Sequence, residues 1–358
     1  MNKKKIKVKF LGTYNQNGGY KNNTLYQIIN KIYDVEIADV PDFVIATPLD
    51  KPFNYCNYDC VRILYTGENF SPDFNVFDYA ITCDDIRFRD RFYQFQQFNA
   101  SGWALQAAQK HINVPDNLLQ SKKYFCDFIY KNSQGQPLRE ETFHKLSEYK
   151  RVESGGTWLN NMPGGRVIGW PDEKQIFQKQ CKFSIAIDSM RYPGFITEKI
   201  TNAFMNRSIP IYLGAPEVNS IFNPKSFINI ADYKNLDEVL DFVKFLDTHD
   251  DEYMKMMSEP AFLDPDYALK KYNGLEEFLR NIFDQEPRMA FRRYEESFSN
   301  KLHLDSLRAI NWAFEKQQKT IKNRLHRYPR VILRKALGDK KYEELKRKHS
   351  RSPKQLNN

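Results

Sequence analysis

Glu198 and Lys199 place opposite charges between a Pro-Gly turn and a predicted helix, within the stretch RYPGFITEKITNAFMNRSIPIYLGAP. Glu198 suits the positive end of the helix dipole, whereas Lys199 does not. Two interpretations stay open from the spacing alone. In the first, Glu198 is a partner of the dipole and Lys199 is solvated. In the second, Lys199 and the helix N-terminus bind an anion such as a diphosphate, while Glu198 accepts hydrogen bonds from sugar hydroxyls.

A buried strand that ends at Asp188 is predicted to lead into this helix. We expect the Thr197 hydroxyl to cap the helix by accepting an otherwise unpaired backbone N–H. Three apolar residues at helical spacing are expected to form its buried face: Ile200, Ala203 and Phe204. In open parallel sheets, ligands bind beyond the carboxyl ends of the strands, at helix N-termini. The charge pair lies at such a place.

Strand-like and helix-like runs alternate in two series along the 358 residues. The first series begins with a strand at 5–12, and the second begins with a strand at 122–132. Short buried strands separated by helices are typical of parallel α/β sheets. The polar stretch 114–121 contains a proline and separates the two series. We therefore predict two α/β domains, at 1–118 and 119–299, that face each other across a cleft.

Five aromatic residues follow the first series of strands: Phe92, Tyr93, Phe95, Phe98 and Trp103. They lie in a run that is predicted to be partly helical. Such a cluster is compatible with stacking on an acceptor sugar, but it more often belongs to a hydrophobic core. Both interpretations stay open from the sequence.

The positive charge of the chain is concentrated near its C-terminus. The formal net charge is +9, and residues 316–354 contain fifteen Lys or Arg and three acids, an excess of +12 that leaves −3 for the rest. Apolar residues recur at helical spacing from Leu307 to Ile321, so we predict a basic, amphipathic helical tail at 300–358. The tail is interpreted either as a solvated end or as a segment that adsorbs to the anionic cytoplasmic leaflet. We expect no nucleic-acid partner, because the rest of the chain contains no recognisable nucleic-acid module.

The sequence contains neither a long apolar segment nor a metal-binding motif. No stretch approaches the roughly 20 apolar residues that cross a bilayer, and no signal-peptide core follows the basic start, so we expect a cytoplasmic protein. The five cysteines lack paired C-x-x-C spacing, which favours reduced thiols over disulfides or zinc. A convincing Asp-x-Asp motif in a loop after a strand is also missing. We expect no metal site and no strict cofactor requirement, with Mn²⁺ or Mg²⁺ at most a stimulant.

Three segments carry a resemblance to a known family. They are LYTGENFSPDFNVFDYAITCDD (64–85), GQPLREETFHKLSEYKRVESGGTWLNN (135–161) and the stretch from KFSIAID to FINIADY (182–233). In this order they resemble the α-1,3-fucosyltransferases of glycosyltransferase family ten, especially the bacterial members. A Thr-Glu-Lys triplet alone would be weak support, whereas the ordered set is specific.

The resemblance implies a GT-B fold, with two facing Rossmann-like domains. The first domain would hold mainly the acceptor, and the second would hold the donor, GDP-β-L-fucose. The implied reaction is inverting transfer of L-fucose to the 3-hydroxyl of N-acetylglucosamine or glucose in a galactoside-containing glycan, such as Lewis-type lipopolysaccharide chains. The implied partners are an oligosaccharide or lipid-linked glycan and, through the tail, the inner face of the membrane.

The resemblance also assigns roles to individual residues. Glu68 matches the general base of the family, and Arg139 matches its diphosphate-binding arginine. Glu198 and Lys199 match the pair that holds the sugar and phosphate end of the donor. The alternatives without a function are that Glu68 is an ordinary acidic residue in a turn and that Arg139 only begins a helix and faces solvent.

The sequence departs from the family pattern in the predicted donor pocket. Many members carry Phe-Glu-Asn-Ser where this chain has Ile187-Asp188-Ser189-Met190. Ser189 therefore replaces a donor-binding Asn, and Phe195 replaces a Tyr and lacks its hydroxyl. These changes leave two alternatives open: a transferase that uses another GDP-linked deoxysugar, and an inactive glycan-binding protein with the same fold.

Overall fold

The computed structural model describes residues 3–12, 19–48, 53–294 and 297–320. The chain forms two compact units. The larger unit comprises Met1–Pro48 and Tyr58–Tyr294, and the smaller unit comprises Leu49–Asn57 and Glu295–Asn358.

The larger unit contains two parallel sheets. The strands of the first sheet are β1 (Lys5–Leu11), β2 (Asp34–Ile37), β3 (Phe43–Ala46), β4 (Val61–Tyr65), β5 (Tyr79–Thr82) and β6 (Phe92–Gln94). The strands of the second sheet are β7 (Tyr124–Phe128), β8 (Val152–Ser154), β9 (Cys181–Ile187), β10 (Ile209–Leu213) and β11 (Ile228–Asn229). The helices are α1 (Thr24–Ile32), α2 (Trp103–Ala108), α3 (Leu138–Ser147), α4 (Asp172–Gln178), α5 (Glu198–Met205), α6 (Val218–Ile221), α7 (Leu236–Thr248), α8 (Asp250–Ser258) and α9 (Tyr267–Phe283).

The first sheet has the order β2-β1-β3-β4-β5-β6, and its strands pair in parallel. Val8 lies opposite Phe43, and Ile63 lies opposite Tyr79. Every residue of β3 and β5 is buried, as expected for a parallel sheet covered on both faces. The sequence did not predict β6, which lies in the aromatic run expected to be partly helical.

The second sheet has the order β11-β10-β9-β7-β8 and is also parallel. Ile185 of β9 lies opposite Ile211 of β10, at the centre of the sheet. Apolar side chains of α3 and α7, among them Leu146 and Val243, pack with these strands in one hydrophobic core. The predicted pair of α/β domains with parallel sheets is confirmed.

Helix α9 packs on the first sheet, although it lies late in the chain. Its residues Leu275, Leu279 and Ile282 are fully buried in the same core as Val8 and Ile45. The apolar residues of α9 recur every three to four positions, so one face of the helix meets the sheet. This helix falls inside the range 119–299 predicted for the second domain, and the predicted domain bounds stay a prediction.

Two of the predicted aromatic residues belong to the hydrophobic core. Phe98 is fully buried and Phe95 is 2% exposed, so neither is available to stack on an acceptor sugar. Tyr93 is partly buried, and its hydroxyl donates to the carbonyl of Lys271 at 2.7 Å. Trp103 makes an edge contact with Trp170. For Phe95 and Phe98 the core interpretation is confirmed.

The described part of the smaller unit includes a helix at 298–320. Leu304 is buried, whereas Phe298 and Trp312 are 83% and 62% exposed. Arg308 donates from Nε to the carbonyl of Cys56 at 2.9 Å within this unit. Most of the predicted basic tail, including Ile321, lies outside the described residues. Within the described ranges, no helix is both long enough and apolar enough to span a bilayer.

Candidate active site

Asp188 lies directly after β9, at the start of the loop that leads into α5, and its carboxylate contacts the other end of that loop. It is completely buried, and its carboxylate accepts a hydrogen bond from the Thr197 hydroxyl, another from the Thr197 N–H at 3.3 Å and a third from the Tyr212 hydroxyl at 2.9 Å. Thr197 stands at the N-cap of α5, but its side chain does not cap the helix. The predicted capping bond was wrong, because the Thr197 hydroxyl donates to the buried carboxylate of Asp188 while its oxygen accepts from the Lys199 ammonium group.

Lys199 also has a partner that its position in the sequence did not reveal. Its ammonium group donates to the Thr197 hydroxyl oxygen at 3.0 Å and lies 3.8 Å from Asp188 Oδ1. Burial raises the pKa of Asp188, while Lys199, Thr197 and Tyr212 oppose that shift. Lys199 is still 21% exposed at its side chain, so it is neither simply solvated nor fully enclosed. An anionic ligand at the helix N-terminus can reach it.

Glu198 is half-buried and surrounded by cations. Burial alone would raise its pKa, but Lys199, Lys174, its own backbone N–H and Arg139 together hold the pKa below its ordinary value. Glu198 is therefore a carboxylate at neutral pH and accepts hydrogen bonds without donating them. Lys174 was not predicted as part of the site. It lies on α4, is 7% exposed and stands over the Trp170 ring at 4.6 Å.

Arg139 is buried, not directed to solvent, although it lies in the first turn of α3. Its Nε donates to the carbonyl of Ile187 at 3.1 Å, its Nη1 donates to the carbonyl of Gln134, and its guanidinium lies 4.8 Å from the centre of the Tyr130 ring. Gly135 has φ +127°, and a Cβ there would lie 2.5 Å from Arg139 Nη1. A glycine is therefore needed beside the guanidinium.

Glu68 lies in the turn after β4 of the first sheet. Its backbone is held firmly: the N–H donates to Thr66 Oγ1 at 3.1 Å, and the carbonyl accepts from the Phe70 N–H at 2.8 Å. No hydrogen bond to its carboxylate comes from the residues that the structure describes. The backbone thus fixes the position of this acid while its side chain keeps its accepting capacity.

One cavity of about 460 Å³ brings these side chains together. It is lined by Glu68, Gln97, Asn132, Gln134, Gly135, Arg139, Ser189, Met190, Phe195, Thr197, Glu198 and Lys199. All the predicted site residues therefore line one cavity, which lies at the carboxyl ends of strands from both sheets. Asn132 and Gln134 were missed, although they follow β7 in the way that the predicted residues follow β4 and β9.

Both halves of the chain match family models. Residues 8–100 match the N-terminal domain of the α-(1,3)-fucosyltransferase FucT, and residues 119–259 match the C-terminal region of glycosyltransferase family 10 (fucosyltransferase). An α-(1,3)-fucosyltransferase FucT of Helicobacter pylori is 33% identical over 275 residues, which cover 67% of this chain and 56% of that protein. The chain belongs to glycosyltransferase family 10. The resemblance predicted from its three segments is confirmed.

Solved structures support the same membership. A crystal structure of an α1,3-fucosyltransferase matches this family 10 chain with a TM-score of 0.63 and 27% identity, over 77% of this chain and 91% of that one. A crystal structure of an α1,3-fucosyltransferase with GDP-fucose matches with a TM-score of 0.61 and 26% identity, over 77% and 92% of the two chains. The predicted GT-B fold with two Rossmann-like domains is confirmed.

The match to curated relatives is partial in length. A putative fucosyltransferase, R654, of Acanthamoeba polyphaga mimivirus is 28% identical over 246 residues, which cover 67% of this chain and 38% of that protein. The chain spans about half the length, or less, of these two curated relatives.

The described part of this family 10 chain contains no cluster of three or more His, Cys, Asp or Glu side chains that could hold a metal ion. Two cations of the protein, Arg139 and Lys199, line the cavity, and Lys174 is close enough to Glu198 to lower its pKa. Of the departures from the family pattern, Ser189 and Phe195 line the cavity. Asp188 does not line it; its buried carboxylate contacts Thr197 and Lys199.

Proposed function

We propose that the chain transfers L-fucose from GDP-β-L-fucose, with inversion, to the 3-hydroxyl of N-acetylglucosamine or glucose in a galactoside-containing glycan. The observation that carries this proposal is that one cavity is lined both by an acid that follows a strand of the first sheet, Glu68, and by cations beside the second sheet, Arg139 and Lys199. Inverting transfer requires a proton acceptor and an anion-binding group on opposite sides of the donor sugar. The solved relative with GDP-fucose supports this choice of donor.

Each residue has a part in the proposed reaction. The acceptor oxygen forms a bond to C1 of fucose while the bond from C1 to the diphosphate oxygen breaks, and Glu68 takes the proton of the acceptor hydroxyl. The departing GDP carries away the bonding electron pair. Arg139, Lys199 and the N–H groups of α5 stabilise the charge that it gains. Glu198, held as a carboxylate, accepts hydrogen bonds from the sugar hydroxyls.

Replacing Glu68 with Gln tests the proposal. An amide of the same shape cannot take the proton, so we expect kcat to fall by about 10³-fold. The dissociation constant for GDP, measured by calorimetry, should stay within about twofold, because GDP interacts mainly with the second sheet in this proposal. Glu153→Gln, on β8 and outside the lining of the cavity, is the matched control. Full activity of Glu68→Gln would rule out Glu68 as the base.

The donor sugar is tested separately, since Ser189 and Phe195 offer fewer polar groups than the family pattern. A panel of GDP-linked deoxysugars should give turnover with GDP-fucose and little with the others. Turnover with another GDP-sugar but not with GDP-fucose would overturn the choice of donor. GDP-fucose binding without turnover on any glycan of an array would instead favour the glycan-binding alternative.

We also propose that the basic tail holds the protein at the inner face of the membrane, near lipid-linked acceptors. The support is the charge excess of +12 at 316–354. In the neighbouring helix, Phe298, Leu302 and Trp312 are more than half exposed. Basic residues near an anionic surface contribute about 1 kcal/mol each, and apolar side chains add burial.

Charge reversal in the full-length protein tests this localisation. The double change Arg334→Glu and Lys335→Glu should weaken sedimentation with vesicles of phosphatidylserine and phosphatidylcholine by at least about tenfold. The control is Lys234→Glu with Lys255→Glu, an equal reversal at side chains that are 88% and 72% exposed. Equal loss of binding in both proteins would show that only the net charge matters, and unchanged binding in the first would remove the role of the tail.

A further inference from the structure

Asp84 connects the two sides of the cavity. It follows β5 of the first sheet and is 5% exposed. Two segments meet at its carboxylate. We call residues 66–71, which include Glu68, the base turn. We call residues 189–196, which lead to Glu198, the donor loop. Neither the sequence pattern nor the family resemblance assigned a role to Asp84.

Each oxygen of this carboxylate accepts a hydrogen bond from a different segment. Ser71 of the base turn donates from its hydroxyl to Oδ2 at 2.6 Å, and Tyr192 of the donor loop donates from its phenol to Oδ1 at 3.1 Å. The two donor oxygens lie 3.4 Å apart. A nearly buried carboxylate needs such donors because water reaches it poorly. One charged group therefore holds both segments.

The backbones of the two segments also meet beside Asp84. The Cys83 thiol donates to the carbonyl of Glu68 at 3.4 Å, which joins the residue before Asp84 to the base turn. On the other side, Gly194 has φ +83°, and a Cβ there would lie 1.9 Å from the carbonyl oxygen of Cys83. The donor loop passes so close to Cys83 that only glycine fits. Asn69 adds a contact of 2.8 Å from Nδ2 to the sulfur of Met190.

The donor loop contacts both the cavity and Asp84. Ser189, Met190 and Phe195 line the cavity, whereas Tyr192 is directed to Asp84. A donor sugar that packs against the loop therefore acts on a segment that is bonded to the base turn. Since Glu68 has no carboxylate hydrogen bond from the described residues, its backbone is what keeps it in position.

We propose that Asp84 is a positioning residue, which couples the donor loop to the base turn and holds Glu68 in place when the donor is bound. The role of Glu68 in this statement rests on the proposed function. The coupling itself is a property of the Ser71, Asp84 and Tyr192 contacts, and it can be measured without turnover.

Tyr192→Phe removes only the hydroxyl group that donates to Asp84 and keeps the ring. We expect amide hydrogen exchange of a peptide covering 66–71 to become about tenfold faster, because one of the two side-chain bonds to Asp84 is lost. GDP should slow exchange at 66–71 less in the variant than in the wild type, while its protection of 197–203 stays the same. At saturating GDP-fucose, kcat should fall about tenfold and the dissociation constant of GDP should change less than twofold.

Tyr149→Phe is the matched control, because its phenol donates to Asp247 Oδ2 at the same 3.1 Å but does not line the cavity. It should leave exchange at 66–71 and kcat unchanged. Unchanged exchange at 66–71 in Tyr192→Phe would overturn the coupling, and so would an equal change in Tyr149→Phe. If wild-type protein transfers no fucose, the proposed function fails, and the exchange measurements still decide the coupling.

Discussion

Two glutamates line the same cavity in very different surroundings. Glu68 follows a strand of the first sheet, and its carboxylate accepts no hydrogen bond from the described part of the chain. Glu198 begins α5 beside the second sheet, where Lys199, Lys174 and Arg139 hold its pKa below the ordinary value although burial acts in the opposite direction.

In the proposed reaction, the surroundings and not the residue type give the two acids different roles. A general base must keep a lone pair available for the incoming proton. An acid that binds sugar hydroxyls must stay ionised and fixed, which neighbouring cations achieve. Lys199 is in turn fixed by Asp188, and Arg139 by the carbonyls of Ile187 and Gln134. The following experiments test that division and the charges buried near it, and the effects on the reaction are given in decreasing order.

Arg139→Met should remove the most strongly held cation from the cavity. We expect kcat/KM for GDP-fucose to fall roughly 10²- to 10³-fold, because a charge that stabilises the departing diphosphate is lost. GDP binding should weaken as well, in contrast to the Glu68→Gln protein. Arg280→Met, which removes an exposed ion pair with Glu276 on α9, is the control and should keep normal kinetics. Equal GDP affinity in wild type and Arg139→Met would contradict the role of Arg139.

Asp188→Asn should keep the shape of the side chain at position 188 but remove the negative charge that contacts Lys199 and Thr197. We expect KM for GDP-fucose to rise about tenfold, since Lys199 loses its buried counter-charge. Asp247→Asn is the control: Asp247 is 4% exposed at its side chain and pairs with Lys150 and Lys182, but it does not line the cavity. Both variants should lose stability in urea. Only Asp188→Asn should change KM, and an equal change in both would show that stability alone is responsible.

Asp127, which lies on β7 in the second sheet, should make the stability of the protein depend on pH. Burial raises its pKa to about 7 from 3.8; Oδ1 accepts from Ser184 at 3.1 Å, and the buried Oδ2 has no hydrogen-bond partner among the described residues. The folded state therefore binds the proton more tightly than the unfolded state. Its contribution is fully present below about pH 4 and is lost as pH rises to about 7.

Asp127→Asn removes this titration and isolates its effect. Between pH 4 and pH 8, the free energy of unfolding of the wild type should fall relative to the variant by about 4 kcal/mol at most. Urea unfolding at a series of pH values measures the difference. Asp241→Asn, at a side chain that is 77% exposed, should show no such trend. A constant difference for Asp127→Asn would mean that this acid is ionised in the folded protein across the range.

Removal of divalent ions should have the smallest effect. Since Arg139 and Lys199 are proposed to balance the charge of the diphosphate, we expect transfer in EDTA to stay within about threefold of transfer with Mn²⁺ or Mg²⁺. Initial rates with dialysed protein give the comparison. Complete loss in EDTA, with recovery on adding either ion, would show that the cations of the protein are not sufficient.

Much of the second sheet was predictable because its pattern is local. The apolar run before Asp188, together with the spacing of Ile200, Ala203 and Phe204, correctly predicted β9 and the buried face of α5. By contrast, β6 has three residues, and α9 packs on a sheet whose last strand ends more than 170 positions earlier. Such features depend on partners that are distant in the sequence, and local periodicity contains no information about them.

By itself, the sequence determined the order of most strands and helices, the charge pair at the start of α5 and the family motif that includes Glu68 and Arg139. Tertiary structure alone decided how those charges are partnered. The Thr197 hydroxyl bonds to Asp188 and not to the helix, Lys199 has that same acid as a neighbour, and Tyr192 reaches Asp84 from 108 residues away. The physical reason is that a buried charge takes its partners from whatever the fold brings within hydrogen-bond distance, regardless of separation along the chain.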